Sequence, residues 1–351
     1  MRYVFRPDIR ILRYDAVDGV SRVSSESLDI LRLGVTQHTL TRATITEPNV
    51  QRNSGKKDVA QTLQNFYKKV EHIFVELGAS AADFFIRKTI ASLRQKSSLS
   101  PCVQLDVSDH SVDVLLALFD AMGLENACQR DQACFPRISA KVQCLLDYLL
   151  EETSHGLCGI VFVEQRAVAS VLSSMLNDGH LTHGKIQSVP TVGTSNFTGR
   201  KFAITELLDR KLQQQALPAF RKGEANIVVA TSVLEEGIDV QACNVVACFD
   251  VPANLKSYIQ RRGRARNPHS RYGMLLERSA DQSKIERWHK LERELTQICQ
   301  KEREQAERYA RIETDDESPD FSLSVPSTGQ VTLSYILFVE KGHSNVAQSH
   351  A

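Results

Sequence analysis

Arg261, Arg262, Arg264, Arg266 and Arg271 crowd the segment "SYIQRRGRARNPHSR" (257–271), which holds no acidic residue and has Gly263 near its middle. Guanidinium forks bind phosphate oxygens in pairs of hydrogen bonds and keep their proton at any working pH. An arginine that reaches a transferring phosphoryl group stabilises charge developing in the transition state, an effect of roughly 10³–10⁵ in rate. An arginine run without context is most often a solvated basic face. This run is set apart by what precedes it. "IVVATSVLEEGIDVQACNVVACFD" (227–250) reads as two buried strands joined by a turn. The first strand would deliver Thr231 and Ser232 to a sheet edge, where hydroxyls bond phosphate oxygens. Gly237 and Asp239 follow on the turn, where a carboxylate can accept from a ribose hydroxyl. Upstream, "GIVFVEQR" (159–166) is a further buried strand ending in Gln165 and Arg166.

The elements that would position these groups are legible in the hydrophobic spacing. Short β-branched runs at 159–165, 187–193, 226–233, 244–251 and 272–277 alternate with amphipathic segments, which predicts an α/β fold with a parallel sheet. Ligands of such sheets sit at the carboxyl ends of the strands. Ser139 is a candidate cap for a helix carrying Val142, Leu145, Leu146 and Leu149, and a helix is predicted over 166–176. The first part reads differently. Val59, Leu63, Phe66, Tyr67, Val70, Phe74 and Leu77 share one helical face ended by Gly78. Ser80 and Asp83 resemble a capping box for the next helix, and a third helix is predicted over 109–122. Phe66, Phe74, Phe84 and Phe85 are candidate core, and Lys68, Lys69 and Lys88 fit a solvated face. Residues 46–58 read as a polar linker. Half of the residues in 284–313 are charged, with a narrow apolar stripe that includes Ile285 and Trp288, which predicts one long helix.

Composition sets the outer limits. The 351 residues are 42% hydrophobic and 24% charged, which suits one or two folded domains and excludes a mainly disordered or fibrous chain. No run approaches a membrane span, and "MRYVFRPDIR" lacks the apolar core of a secretory signal. Lys and Arg total 43 against 42 Asp and Glu, so only local charge can speak to nucleic acid. The 8 cysteines include no C-x-x-C pair, which reads as reduced thiols in the cytoplasm or nucleus. His180 and His183 do not form a metal pattern, and no zinc is expected.

"VVATSVLEEGIDV" and "YIQRRGRAR" resemble motifs V and VI of superfamily 2 helicases, in the versions carried by the Dicer and RIG-I-like branch. "GIVFVEQR" is similar to motif IV, and "QQQALPAFRKGEANIVVATS" to the helix before motif V, with Pro218 unexpected inside it. The chain as a whole resembles fungal Dicer-like proteins. The resemblance implies a RecA-like helicase C-terminal lobe over 138–279. It implies a helical insertion over 1–137, with 1–57 partly loop, pincer-like helices over 280–313, and an acidic linker with the altered start of a further Dicer domain over 314–351. It also implies roles. Thr231 and Ser232 would touch the RNA backbone, with Gln165 and Arg166 beside them. Gly237 and Asp239 would line the nucleotide site. Gln260, Arg264 and Arg266 would face the ATP phosphates across a cleft between two lobes, with Arg261 a rival for one of those places. Replacing Arg264 with lysine is then expected to abolish turnover without disturbing the fold.

Such a motor also needs a first lobe with a G-x-x-x-x-G-K-[ST] loop and an acidic magnesium motif. The nearest approach here is "GHLTHGKI" (179–186), which ends in Ile186 and follows a helix. The expectation is therefore a piece of a larger enzyme, binding ATP with magnesium only when a first lobe is supplied. Its expected partners are double-stranded RNA and that lobe, its setting RNA silencing and antiviral defence, with no membrane. Two other readings stand beside it, a duplex-RNA-binding module without turnover and a non-functional truncated product.

Overall fold

The computed structural model of the chain describes residues 7–15, 25–44, 54–98, 109–128, 135–153, 156–193, 210–235, 243–267 and 269–315. It separates into two compact units, residues 1–279 and 280–351. In the first unit the order of elements is β1 (Asp8–Tyr14), α1 (Glu26–Thr44), α2 (Ser54–Leu77), α3 (Ala79–Ser98), α4 (Asp109–Ala121), α5 (Leu124–Ala127) and α6 (Ala140–Glu152). Then follow β2 (Gly159–Phe162), α7 (Arg166–Leu176), α8 (Gly179–Thr182), β3 (Ser188–Thr191), α9 (Arg210–Arg221), β4 (Ile227–Ala230), β5 (Val245–Cys248), α10 (Leu255–Arg262) and β6 (Arg271–Glu277). In the second unit the described residues form α11 (Ser283–Asp315), laced by pairs such as Arg303 with Glu307 at 3.0 Å.

The strands form one sheet in the order β1-β6-β5-β2-β4-β3, every neighbouring pair parallel. β2, β4 and β5 are buried at every position, which explains their unbroken apolar runs. The helix that carries Pro218 is α9, and the proline lies inside it. "GHLTHGKI" forms α8 and a turn with His183 at φ 52° and Gly184 at φ 68°, and runs on toward β3.

Two expectations for the first 137 residues are corrected. The segment expected as helix and loop contains β1, which pairs with β6 from Asp8↔Arg271 to Tyr14↔Glu277. Its partner lies more than 250 residues away, so no local pattern announces it. Polar anchors hold this edge strand: Arg13 Nη1 donates to the Glu277 carbonyl at 2.7 Å, and Arg10 pairs with Glu151 at 3.3 Å. The capping box at Ser80 and Asp83 does not form. Gly78 at φ 105° turns α2 directly into α3, and a Cβ there would lie 2.5 Å from the Arg137 carbonyl. Ser80 is inside α3, where its hydroxyl accepts from the Arg137 N–H at 3.1 Å. Asp83, 4% exposed, accepts from Ser25, Ser27 and Arg137 instead. The other expected cap is present, with Ser139 Oγ accepting from the Val142 N–H at 3.1 Å to open α6.

A single hydrophobic core runs from the helices into the sheet. Phe66 packs against Phe85 and Phe119, with ring centroids 5.9 Å and 5.3 Å apart. Cys128, wholly buried in this core, has its thiol pushed up to about 12, mainly by burial and then by the Asp83 charge. A thiol raised in the folded state keeps its proton there while the unfolded chain loses it. Stability present below about pH 9 is therefore lost as pH rises toward 12. Cys128→Ala is expected to flatten this decline by up to about 1.4 kcal/mol per pH unit. Urea unfolding at several pH values between 8 and 11 checks it, and an unchanged slope in the variant would refute it.

Candidate functional site

Three adjacent strands of the sheet, β2, β4 and β3, release their chains at the same edge. After β4, Thr231 hydrogen-bonds through its N–H to the Thr191 carbonyl at 3.3 Å and leads into a 3-10 turn over Ser232–Leu234. Leu234 is fully buried and pins the turn, while Ser232 is exposed. After β2, Glu164 and Gln165 lead into α7, with Gln165 as its N-cap residue. Between these segments lies an open groove of about 300 Å³, lined by Glu164, Arg166, Gly193, Thr231, Ser232 and Val233. Besides Glu164 it offers one guanidinium, two hydroxyls and the first turn of an 11-residue helix, the end of a helix that carries partial positive charge. That donor set suits phosphate oxygens.

Directly after the 3-10 turn comes Glu235, which gathers the arginines. Arg261 Nε donates to Glu235 Oε1 at 2.7 Å, and Ser257 Oγ donates to Glu235 Oε2 at 2.9 Å. Arg261 Nη1 donates to the Asp250 carbonyl at 3.0 Å, and its guanidinium lies over the Phe162 ring at 5.1 Å. Burial works against this charge, but the Cys248 sulfur and the Glu235 carboxylate outweigh it and hold the guanidinium above its ordinary value. Arg264, 8% exposed, donates through Nη2 to the Glu235 carbonyl at 2.9 Å. Arg266 is exposed, with Nε donating to the Gly263 carbonyl at 3.0 Å. α10, which carries Gln260 and Arg261, is capped by Asn254, whose side chain accepts from the Ser257 N–H.

Thr231, Ser232 and Arg166 therefore share one groove, with Gln165 in the chain between two of its lining residues. Gln260, Arg261, Arg264 and Arg266 lie at the end of α10 and in the turn after it. Gly237 and Asp239 lie outside the described residues. Arg261, expected at the nucleotide, commits its fork to the Glu235 carboxylate and the Asp250 carbonyl, as a charge this buried must be paired. Four further residues escaped the sequence reading: Glu164, Glu235, Asp250 and Lys141. The acidic residues at or near the ends of β2, β4 and β5 were the available signal. Among the described residues, no group of three or more His, Cys, Asp or Glu is placed to hold a metal ion.

Residues 140–268 match the helicase conserved C-terminal domain, and with the parallel sheet and its edge groove this makes the region a helicase C-terminal lobe. Beyond that span, the chain is similar to fungal Dicer-like proteins. Dicer-like protein 2 of Emericella nidulans is 35% identical over 269 residues, covering 77% of this chain and 19% of that protein. Dicer-like protein 2 of Phaeosphaeria nodorum is 28% identical over 348 residues, covering 94% and 25% respectively. The lobe is thus of the Dicer-like kind, and the chain spans about a fifth to a quarter of the length of these relatives. The Pyrococcus furiosus Hef helicase domain aligns with 79% of this chain and 57% of its own at 17% identity, with a TM-score of 0.36.

Proposed function

We propose that this chain is the second motor lobe of an ATP-dependent double-stranded-RNA helicase or translocase of the Dicer-like kind, acting in RNA silencing and antiviral defence in the cytoplasm. The observation that carries the proposal is the groove. It gathers Arg166, Thr231 and Ser232, donors from two separate strand ends, around a space with a helix N-terminus at its edge. A ribose–phosphate backbone is the ligand whose acceptors match such donors without any base being read. The arginine-bearing end of α10 is the second support. Arg266 is exposed, and its guanidinium fits the phosphates of an ATP carried by a first lobe. When bound, ATP with magnesium supplies the phosphoryl group whose transfer drives the motor. The sequence contains no phosphate loop, so turnover belongs to the two lobes together.

Duplex RNA binding by the chain itself is the test. In fluorescence anisotropy, a blunt RNA duplex should bind with little sequence preference, and its affinity should fall steeply with salt. Arg166→Ala is expected to weaken binding roughly tenfold for any sequence and to lower the salt slope by about one. Undetectable duplex binding at low salt would end this reading.

A further inference from the structure

Asp250, the second residue after β5, has partners on every side. Its Oδ2 accepts from the Glu164 N–H at 2.6 Å, at the lip of the groove. Its carbonyl accepts from Arg261, the arginine that also holds Glu235. Its Oδ1 accepts from Lys141 Nζ at 2.9 Å, and the same ammonium donates to Glu76 at the end of α2. Lys141 lies over the Phe249 ring at 4.2 Å with its side chain 10% exposed. Burial alone would lower the proton affinity of that ammonium, yet the carboxylates of Asp250 and Glu76 outweigh burial and hold it above its ordinary value. Beside it, Ser139 Oγ donates to the Glu76 carbonyl at 2.6 Å, and the Ser139 N–H donates to the Leu77 carbonyl at 3.0 Å. The start of α6, which carries Lys141, is thereby fixed to the end of α2.

The arrangement is more than a counter-ion pair. A lone ion pair at the rim of a sheet would need only one acceptor for one donor. Here one carboxylate has each oxygen committed to a different segment. One oxygen fixes a main-chain N–H two residues before Arg166. The other is fixed by a cation whose second partner belongs to the helical part of the unit. With both oxygens accepting, one from Lys141 and one from the Glu164 N–H, the Asp250 side chain ties the two segments to each other. We infer that Asp250 is a positioning residue for the groove: with Lys141 and Glu76 it sets where the Glu164–Arg166 segment stands, and so sets the affinity of Arg166 for the RNA backbone. This rests on the RNA reading of the groove given above and adds residues that do not line it.

The test joins a double-mutant cycle with amide hydrogen exchange, both on the full chain. Asp250→Ala and Lys141→Met are each expected to weaken duplex RNA binding about tenfold in the native background. In the Arg166→Ala background each should have less than a twofold effect, because Asp250 acts through Arg166. Asp250→Asn keeps an acceptor for the Glu164 N–H but loses the charge facing Lys141, and should lie between the native chain and Asp250→Ala. It also serves if Asp250→Ala does not fold. Equal losses with and without Arg166 would mean a general structural role and would overturn the inference, as would unchanged affinity in both variants. Exchange at the Glu164 amide should quicken at least tenfold in Lys141→Met while the amides of β3 keep their native rates. If the native chain binds no RNA, the reading of the groove fails. Exchange then decides the positioning by itself: local quickening supports it, and native protection or uniform loss of protection refutes it.

Discussion

Arg261→Ala is expected to lower the stability of the first unit by about 3–5 kcal/mol, the cost typical of removing one partner from a buried ion pair. The Arg261 and Glu235 side chains are 7% and 8% exposed. Among the described residues, the substitution would leave the Glu235 carboxylate with the Ser257 hydroxyl, and the Asp250 carbonyl without its guanidinium donor. It would also remove the cation over Phe162 and open a void. For a unit of this size the loss corresponds to a fall of roughly 10 °C in the thermal midpoint. Arg261→Lys keeps the charge but loses the fork, so its loss should be smaller yet clear. Replacing Arg261 and Glu235 together with methionine removes the orphaned charge and should recover part of the loss. Thermal unfolding followed by circular dichroism checks the series. A midpoint within 2 °C of the native chain for Arg261→Ala would show that the buried pair contributes nothing.

The second large effect belongs to Arg266 and rests on the proposed motor. Arg266→Ala, in an enzyme reconstituted with the first lobe of a Dicer-like protein, should lower ATP turnover about 10³-fold, the scale of a lost arginine finger. Its exposure and its main-chain bond to the Gly263 carbonyl mean that stability should stay within about 0.5 kcal/mol of native. Arg264→Lys is a less clean probe than the sequence implies. Arg264 is 8% exposed and bonded to the Glu235 carbonyl, so lysine there is expected to reduce turnover and also to loosen the turn after the 3-10 helix. Turnover of Arg266→Ala within threefold of native would move the finger to Arg264.

Much of the lobe can be read from residue order alone, and the reason is local. β2, β4 and β5 are buried on both faces, so each is an uninterrupted apolar run that no solvated element would carry. The helices between them keep one apolar face, and Ser139 marks where α6 opens. Thr231 and Ser232 directly follow β4 and Arg166 opens the helix after β2, so the strand order alone sends all three to one end of the sheet. β1 was not legible. Its seven residues are too few to stand out by themselves, and among the described residues its strand partner is β6, far along the chain. Asp83 reads as a cap because its spacing from Ser80 is right, but the tight turn at Gly78 moves the helix start and hands its carboxylate to Ser25, Ser27 and Arg137.

The duties of the charged residues divide along the same line. Residue order alone shows which groups are present: a run of arginines with no acid among them, hydroxyls at one strand end, and the parallel sheet that would present them. Which charges are spent inside follows from the packing of distant segments. Arg261 and Arg266 are chemically identical and five residues apart, yet one is locked between Glu235 and Asp250 while the other is exposed. Lys141 looks like any lysine in the first turn of a helix until Glu76 and Asp250 close on it. A charge acquires a function or a structural duty from the partners and the solvent around it. Those come from chain segments that the linear order keeps far apart.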